Sequence, residues 1–227
     1  MFAQIDDGEE ETIPVKRKWN GFYMGPKIGL TLSSMTQPNE GDLYDAMGIG
    51  YSAGVAMKLR LGKATRNSAG GTGLFGIGWE LKYKNNSVKT LGTDEKGKEK
   101  ASLSVSYFEV PIYVHVYPCA KMSSMNSFYI EAGVSFGAAL SRSPKSLSVQ
   151  DPSPDYSSVT YNLDTDGSKL KPMDIHPLVG LGYTIPNTGL DINARYNIGT
   201  SKLAGNMPCK MGSLEISLSW MFSVCKF

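Results

Sequence analysis

Period-two alternation of apolar and polar residues runs through the chain. Phe22, Met24, Pro26, Ile28, Leu30 and Leu32 alternate with Tyr23, Gly25, Lys27, Gly29 and Thr31. One face is apolar and the other small or polar, which predicts a β-strand of about ten residues. A second segment sets Ile49, Tyr51, Ala53, Val55, Met57, Leu59 and Leu61 against Gly50, Ser52, Gly54, Ala56, Lys58 and Arg60. A third sets Phe75, Ile77, Trp79, Leu81 and Tyr83 against Gly76, Gly78, Glu80 and Lys82. The fourth spans roughly Leu103 to Tyr117, with Phe108, Val110, Ile112, Val114 and Val116 opposite Glu109, Pro111, Tyr113 and His115. Its apolar phase flips between Tyr107 and Phe108, which predicts a bulge or a strand longer than the layer it crosses.

Four more segments follow. Phe128, Ile130, Ala132, Val134, Phe136, Ala138 and Leu140 oppose Tyr129, Glu131, Gly133, Ser135 and Gly137. Met173, Ile175, Pro177, Val179, Leu181 and Tyr183 oppose Asp174, His176, Gly180 and Gly182. Leu190, Ile192, Ala194, Tyr196 and Ile198 oppose Asp191, Asn193, Arg195 and Asn197. Leu214, Ile216, Leu218, Trp220, Phe222 and Val224 oppose Glu215, Ser217, Ser219, Met221 and Ser223.

Strands of about ten to fifteen residues exceed the soluble mode of about 5–6. They suit a bilayer, which a strand tilted about 45° crosses in about 9–11 residues. Long connections at 33–48, 84–102, 141–172 and 199–213 alternate with links at 62–73, 118–127 and 184–189. Long loops on one rim and short turns on the other are the habit of outer-membrane barrels, although 62–73 is long for such a turn. The 141–172 connection, with Pro144, Pro152, Pro154 and many serines, is expected to be a flexible outer loop.

Two closed barrels fit eight such strands. A lipocalin-like soluble barrel turns its apolar face inward round a ligand, whereas a membrane barrel turns it outward. The polar face decides between them. It is rich in Gly, Ser and Ala, with single charges between: Lys27, Lys58, Arg60, Lys82 and Arg195, against Glu80, Glu109, Glu131, Asp174, Asp191 and Glu215. A solvated surface would be dense in Lys and Glu instead. Small residues beside long charged ones suit a narrow lumen that side chains fill. Aromatics near the strand ends, among them Phe22, Tyr51, Tyr83, Phe128, Tyr183, Tyr196 and Phe222, suit interfacial girdles. The fold expected is an all-β, eight-stranded antiparallel up-and-down transmembrane β-barrel.

Composition then falls into place. Charged residues are 19% of 227 and mean hydropathy is −0.21, values that resemble a soluble protein but average two opposite faces and polar loops. No apolar run reaches the ~18 residues of a transmembrane helix. A net charge of +2 gives no field for nucleic acid. Residues 19–227 read as one barrel domain and residues 1–18 as a polar tail. Met1 to Ala3 reads either as a signal-peptide remnant or as the start of that tail.

The inward charges are expected to neutralise one another as a structural lumen network. Glu80 with Lys82, and Asp191 with Arg195, stand two and four apart on one face and are expected to form lumen bridges. His115 and His176 fall on the same inward face, where a metal or acid–base site is the competing reading of a hydrogen-bonded network. No nucleophile elbow, phosphate loop or Cys-x-x-Cys pair is present. No catalytic, cofactor or metal role is therefore assigned, and no cofactor is expected. Asp94 to Lys100 is expected to be a solvated loop tip. Cys119 and Cys225 are expected on the turn rim, where a disulfide is conceivable, with Cys209 a membrane thickness away.

Several segments are similar to the small outer-membrane β-barrel family of Bacteroidota, described as porin-family, PorT-like or OmpX-like barrels. They are Gly21-Phe-Tyr-Met-Gly-Pro-Lys-Ile-Gly-Leu30, Tyr107-Phe-Glu-Val-Pro-Ile112, Phe128-Tyr-Ile-Glu-Ala-Gly133 and Gly189-Leu-Asp-Ile-Asn-Ala-Arg-Tyr196. The resemblance implies residence in the bacterial outer membrane, contact with its lipid, and a non-enzymatic structural or accessory role in a larger secretion, insertion or uptake assembly. A narrow porin-like channel is the alternative, and a soluble ligand-binding barrel the second. Lipid-modifying barrels, as the resemblance implies, use Ser and His near the outer leaflet, whereas both histidines here point inward. One departure concerns the terminal Phe227. It is odd-numbered while the outward set of the last strand is even, so a bulge near Lys226 must restore the phase, or the terminal signal is read differently.

Overall fold

The structure, a computed structural model, describes residues 21–36, 46–63, 72–89, 93–94, 102–118, 127–143, 146–150, 158–162, 171–185, 188–200 and 210–226. Its barrel strands are β1 (Gly21–Thr36), β2 (Ala46–Lys63), β3 (Thr72–Lys89), β5 (Ser102–Val116), β6 (Phe128–Ser143), β9 (Met173–Thr184), β10 (Leu190–Asn197), β11 (Lys210–Trp220) and β12 (Phe222–Lys226). Met221 separates β11 from β12, which together make the last of eight strands. The sheet runs β11-β10-β9-β6-β5-β3-β2-β1-β12, and β11 also pairs β1, from Lys27↔Ser219 to Thr36↔Lys210. Every neighbouring pair is antiparallel, so the sheet closes on itself as an up-and-down barrel. Closure leaves no unpaired edge, which a strand in lipid requires.

The alternation sets which way each residue points. In β11, Glu215, Ser217 and Ser219 are buried, while Leu214, Ile216, Leu218 and Trp220 are exposed. The same holds round the barrel, with Ile28 and Leu30 each 63% exposed and Lys27 6%. Apolar side chains coat the outside and charges fill the inside. This is the reverse of a lipocalin-like barrel, whose apolar face lines its cavity. At the turn end, the outer coat includes Phe22 stacked on Trp79 at 5.8 Å and Trp220 beside Phe222 at 5.3 Å. Nearer the loop end, Tyr51 meets Tyr83 at 5.9 Å.

Glycines on the inward face make room for rings. Gly76 pairs with His115, Gly78 with Tyr113, and Gly182 with Tyr129. A Cβ at any of the three would lie 2.3 Å from the partner ring.

Several strand limits differ from the sequence reading. β3 continues to Lys89, which moves Lys84, Asn86 and Val88 from a supposed loop to the barrel interior. β1 reaches Thr36, and β2 begins at Ala46. The supposed outer loop after β6 holds β7 (Ser146–Gln150) and β8 (Ser158–Asn162), which join β4 (Thr93–Asp94) in a separate sheet ordered β4-β7-β8. Asp94 therefore pairs in a strand opposite Leu147, and the rest of the 94–100 charge run lies outside the described residues.

The apparent phase flip at Tyr107 is also corrected. Odd residues of β5 face inward continuously from Leu103 to His115, followed by Tyr117. The change is in chemistry: at the loop end, the lumen itself becomes apolar. The nearby register shift belongs to the neighbour, where Leu140 of β6 is skipped between Ser141↔Ser106 and Ala139↔Tyr107. A second shift skips Val224, so that Phe22 pairs Cys225 while Tyr23 pairs Ser223. It puts the odd-numbered Cys225 opposite the outward Phe22, a bulge two residues from Lys226. Phe227 itself lies outside the described residues, as do the proposed tail 1–18, Cys119 and Cys209. Cys225 is exposed.

Candidate functional site

The chemistry of the chain converges on the lumen, which has three levels. In the middle, Glu80 of β3 is the hub. It accepts from Lys27 Nζ at 2.8 Å, from Arg195 Nη2 at 2.9 Å and Nη1 at 3.2 Å, and from Tyr113 OH at 2.9 Å. Arg195 Nε donates to Glu131 Oε1 at 2.6 Å. Lys82 Nζ stands among three carboxylates, Glu215 at 2.5 Å, Glu109 at 3.6 Å and Glu80 at 3.7 Å. Ser52 Oγ donates to the other oxygen of Glu215 at 2.9 Å.

Toward the turn end, Lys58 Nζ donates to Asp191 Oδ1 and to Tyr129 OH, both at 2.8 Å. Tyr129 OH and Thr184 Oγ1 donate to Asp191 Oδ1 and Oδ2, each at 2.7 Å. Arg60 Nε donates to Tyr117 OH at 2.8 Å. His115 sits among the rings of Tyr117, Tyr129 and Tyr113, with centroids 5.4, 5.6 and 6.0 Å away. Neither of its nitrogens is hydrogen-bonded among the described residues.

Toward the loop end, Lys84 Nζ lies 2.9 Å from Ser213 Oγ and 3.3 Å from Glu109 Oε1. Asp174 Oδ2 and His176 Nε2 are 3.1 Å apart. Met35, Val88, Leu103, Val105, Tyr107 and Met211, all buried, form the apolar end of the lumen.

All thirteen charged or imidazole residues singled out from the sequence face the lumen. Twelve are buried, and Arg60 is half-buried. Lys84 is a lumen cation that the apolar alternation, which stops at Tyr83, does not reach. The alternation Lys82, Lys84, Asn86, Val88 would have carried the inward face on. With Lys84 the described lumen holds six basic groups (Lys27, Lys58, Arg60, Lys82, Lys84, Arg195) and six acidic ones (Glu80, Glu109, Glu131, Asp174, Asp191, Glu215). Burial of so many charges is tolerable only where they are paired.

The bridges run across the lumen more than along a strand. Lys82 and Glu80 do come within 3.7 Å. Asp191 and Arg195, expected to pair, do not: Asp191 holds Lys58, and Arg195 holds Glu80 and Glu131. Four residues along a strand span roughly 13 Å. A carboxylate on a facing strand is the nearer partner in so narrow a barrel.

Among the described residues no group of three or more His, Cys, Asp or Glu is placed to hold a metal. His176 and Asp174 make a pair only, and His115 has aromatic neighbours.

A family model described as an outer membrane protein beta-barrel domain matches residues 2–205. No curated protein matches the chain. Among solved structures, the chain is similar to Ail, the attachment invasion locus protein of Yersinia pestis in complex with the heparin analogue sucrose octasulfate. The identity is 12% and the TM-score 0.44, over 89% of this chain and 99% of that one. Neisserial surface protein A is similar at 14% identity and TM-score 0.41, over 89% and 97%. OprG from Pseudomonas aeruginosa is similar at 12% identity and TM-score 0.40, over 91% and 98%.

Proposed function

Given that this chain belongs to the outer membrane protein beta-barrel domain family and resides in the bacterial outer membrane, we propose that it is a non-enzymatic, non-conducting barrel that serves as a structural or accessory subunit of a larger outer-membrane assembly. The observation that carries this reading is the lumen. Lys27, Glu80, Arg195 and Glu131 form one bonded chain from β1 through β3 and β10 to β6. An eight-stranded barrel has an interior that side chains can fill, with space left for no more than a small ligand. Among the described residues, the bonded charges and the apolar loop end favour a lumen filled by side chains over the aqueous path a porin needs.

The surfaces open to another protein are the lipid-facing coat and the long loops. The sheet β4-β7-β8, built from two of those loops, supports a role in contact with another protein. The lumen charges, including His115 and His176, are read here as structural. The segments that begin at Gly21, Tyr107, Phe128 and Gly189 support a reading of the chain as a PorT-like porin-family barrel of Bacteroidota. The partner would belong to secretion, insertion or uptake machinery.

The test is purification of the tagged protein from its own outer membrane in mild detergent. A stoichiometric partner that survives gel filtration is the expected result. A lone barrel that gives steady currents in planar bilayers would replace this reading with the narrow porin-like channel.

A further inference from the structure

Five of the six lumen cations pair with a carboxylate: Lys27, Lys58, Lys82, Lys84 and Arg195. The sixth, Arg60, has no ion pair among the described residues. Its Nε donates to Tyr117 OH at 2.8 Å and its Nη2 to Thr184 Oγ1 at 3.3 Å. Its guanidinium lies 4.7 Å from the ring centroid of Tyr117 and 5.6 Å from that of Tyr23. Nη1 makes no hydrogen bond among the described residues.

Arg60 borders a cavity of ≈ 60 Å³ at the turn end of the barrel. Tyr23, Gly189 and Met221 wall it, and Lys58, Arg60 and Asp191 bring the charge. One water needs about 10–15 Å³ of such space, so the cavity fits a head group of a few atoms. The wall is preformed. Gly189 holds φ +76°, and its carbonyl accepts from Met221 N at 2.7 Å. A Cβ there would lie 2.7 Å from the carbonyl oxygen of Met221. Glycine therefore fits the turn that walls the cavity.

We propose that this cavity is a binding site for a small organic monocarboxylate, entered from the periplasmic mouth. The Nη1 edge of Arg60, without a hydrogen bond among the described residues, would hold the carboxylate through parallel N–H···O bonds, the geometry a planar guanidinium offers. Tyr23 and Met221 would cover the apolar body. Asp191 does not take this place, because Lys58, Tyr129 and Thr184 already occupy it. The three charged lining groups sum to +1, two cations less one carboxylate. A monoanion neutralises that sum, and a phosphate dianion overshoots it beside Asp191. The site is separate from the accessory role, so failure of either leaves the other standing.

The experiment is an NMR titration of the full chain, folded in dodecyl maltoside, with benzoate and separately with inorganic phosphate. Benzoate is expected to shift the Gly189 and Met221 amides and the Arg60 Nε–H saturably. The R60Q variant is expected to bind benzoate about tenfold more weakly or worse, the loss of one charge-assisted fork, and phosphate is expected to bind the parent about tenfold more weakly because its second charge meets Asp191. R60K keeps the charge without the fork and is expected to lose about tenfold as well; it serves alone if R60Q does not fold. Absence of saturable shifts with benzoate overturns the site. Unchanged affinity in the variants overturns the role of Arg60, and phosphate binding as tight as benzoate overturns the ligand class.

Discussion

Arg195 of β10 and Glu80 of β3 join across the full width of the lumen at 2.9 Å, from strands four places apart round the eight-stranded ring. Such a bond ties opposite walls, which pairing between neighbouring strands does not do. It also explains how the barrel keeps charge in its interior: Glu80 is fully buried and has three charged partners, Lys27, Arg195 and Lys82.

Removing Arg195 alone should therefore cost more than removing it together with Glu131, which pairs with no other cation among the described residues. Arg195→Met leaves Glu80 and Glu131 short of a cation and is expected to destabilise the barrel by about 3–5 kcal/mol. Arg195→Met combined with Glu131→Leu is expected to recover part of that loss, because Glu80 keeps Lys27 and Lys82 and an apolar residue in place of Glu131 needs no partner. Urea unfolding in lipid vesicles, followed by tryptophan fluorescence, reads both. Equal stability of Arg195→Met and the parent would remove the network from the account of stability.

Much of this was legible beforehand, because one alternation encodes both strand and orientation. Apolar Ile28 and charged Lys27 announce an outside and an inside without any structure. What alternation does not encode is distance across the ring. Asp191 and Arg195 share a strand and look like a pair, yet each reaches a facing wall. Nor does it mark where the interior changes character. Leu103, Val105 and Tyr107 look like outward residues out of phase, but they are inward residues at an apolar end of the lumen. Lys84 and Val88 are hidden for a related reason, since the outward face of β3 stops being apolar beyond Tyr83 while the strand runs on to Lys89.

The glycine–ring pairs predict a steric phenotype. Gly182→Val puts a branched side chain where Tyr129 lies, with even a Cβ only 2.3 Å from its ring. The variant is expected to lose its heat-modifiable folded band, and Tyr129→Ala in the same chain is expected to restore it. Normal folding of Gly182→Val alone would show that the ring has another place to go.

The outer coat carries an opposite prediction. Ile216 on β11 is 52% exposed to what is here lipid. Ile216→Arg is expected to destabilise folding in a bilayer by up to about 2–4 kcal/mol, the cost of a cation on the lipid face near the midplane. Ile216→Leu is expected to be close to neutral. Vesicle folding titrations compare the two, and a tolerated arginine would argue for a water-facing exterior.

Cys225 provides a check on the last strand. The skipped Val224 puts Cys225 opposite Phe22, on the outward phase. A spin label on Cys225, with Cys119 and Cys209 changed to serine, is expected to be relaxed by lipid-soluble oxygen more than by a water-soluble nickel chelate. The reverse ranking would return the last strand to an unbroken alternation.

Whether the side chains of the lumen close the barrel to ions is read by single-channel recording in a planar bilayer. The purified protein is expected to insert and give no steady current steps in molar salt, with Arg195, Lys82 and their glutamates holding the lumen shut. Reproducible ohmic steps from the unmodified protein would contradict the account and make the chain a pore.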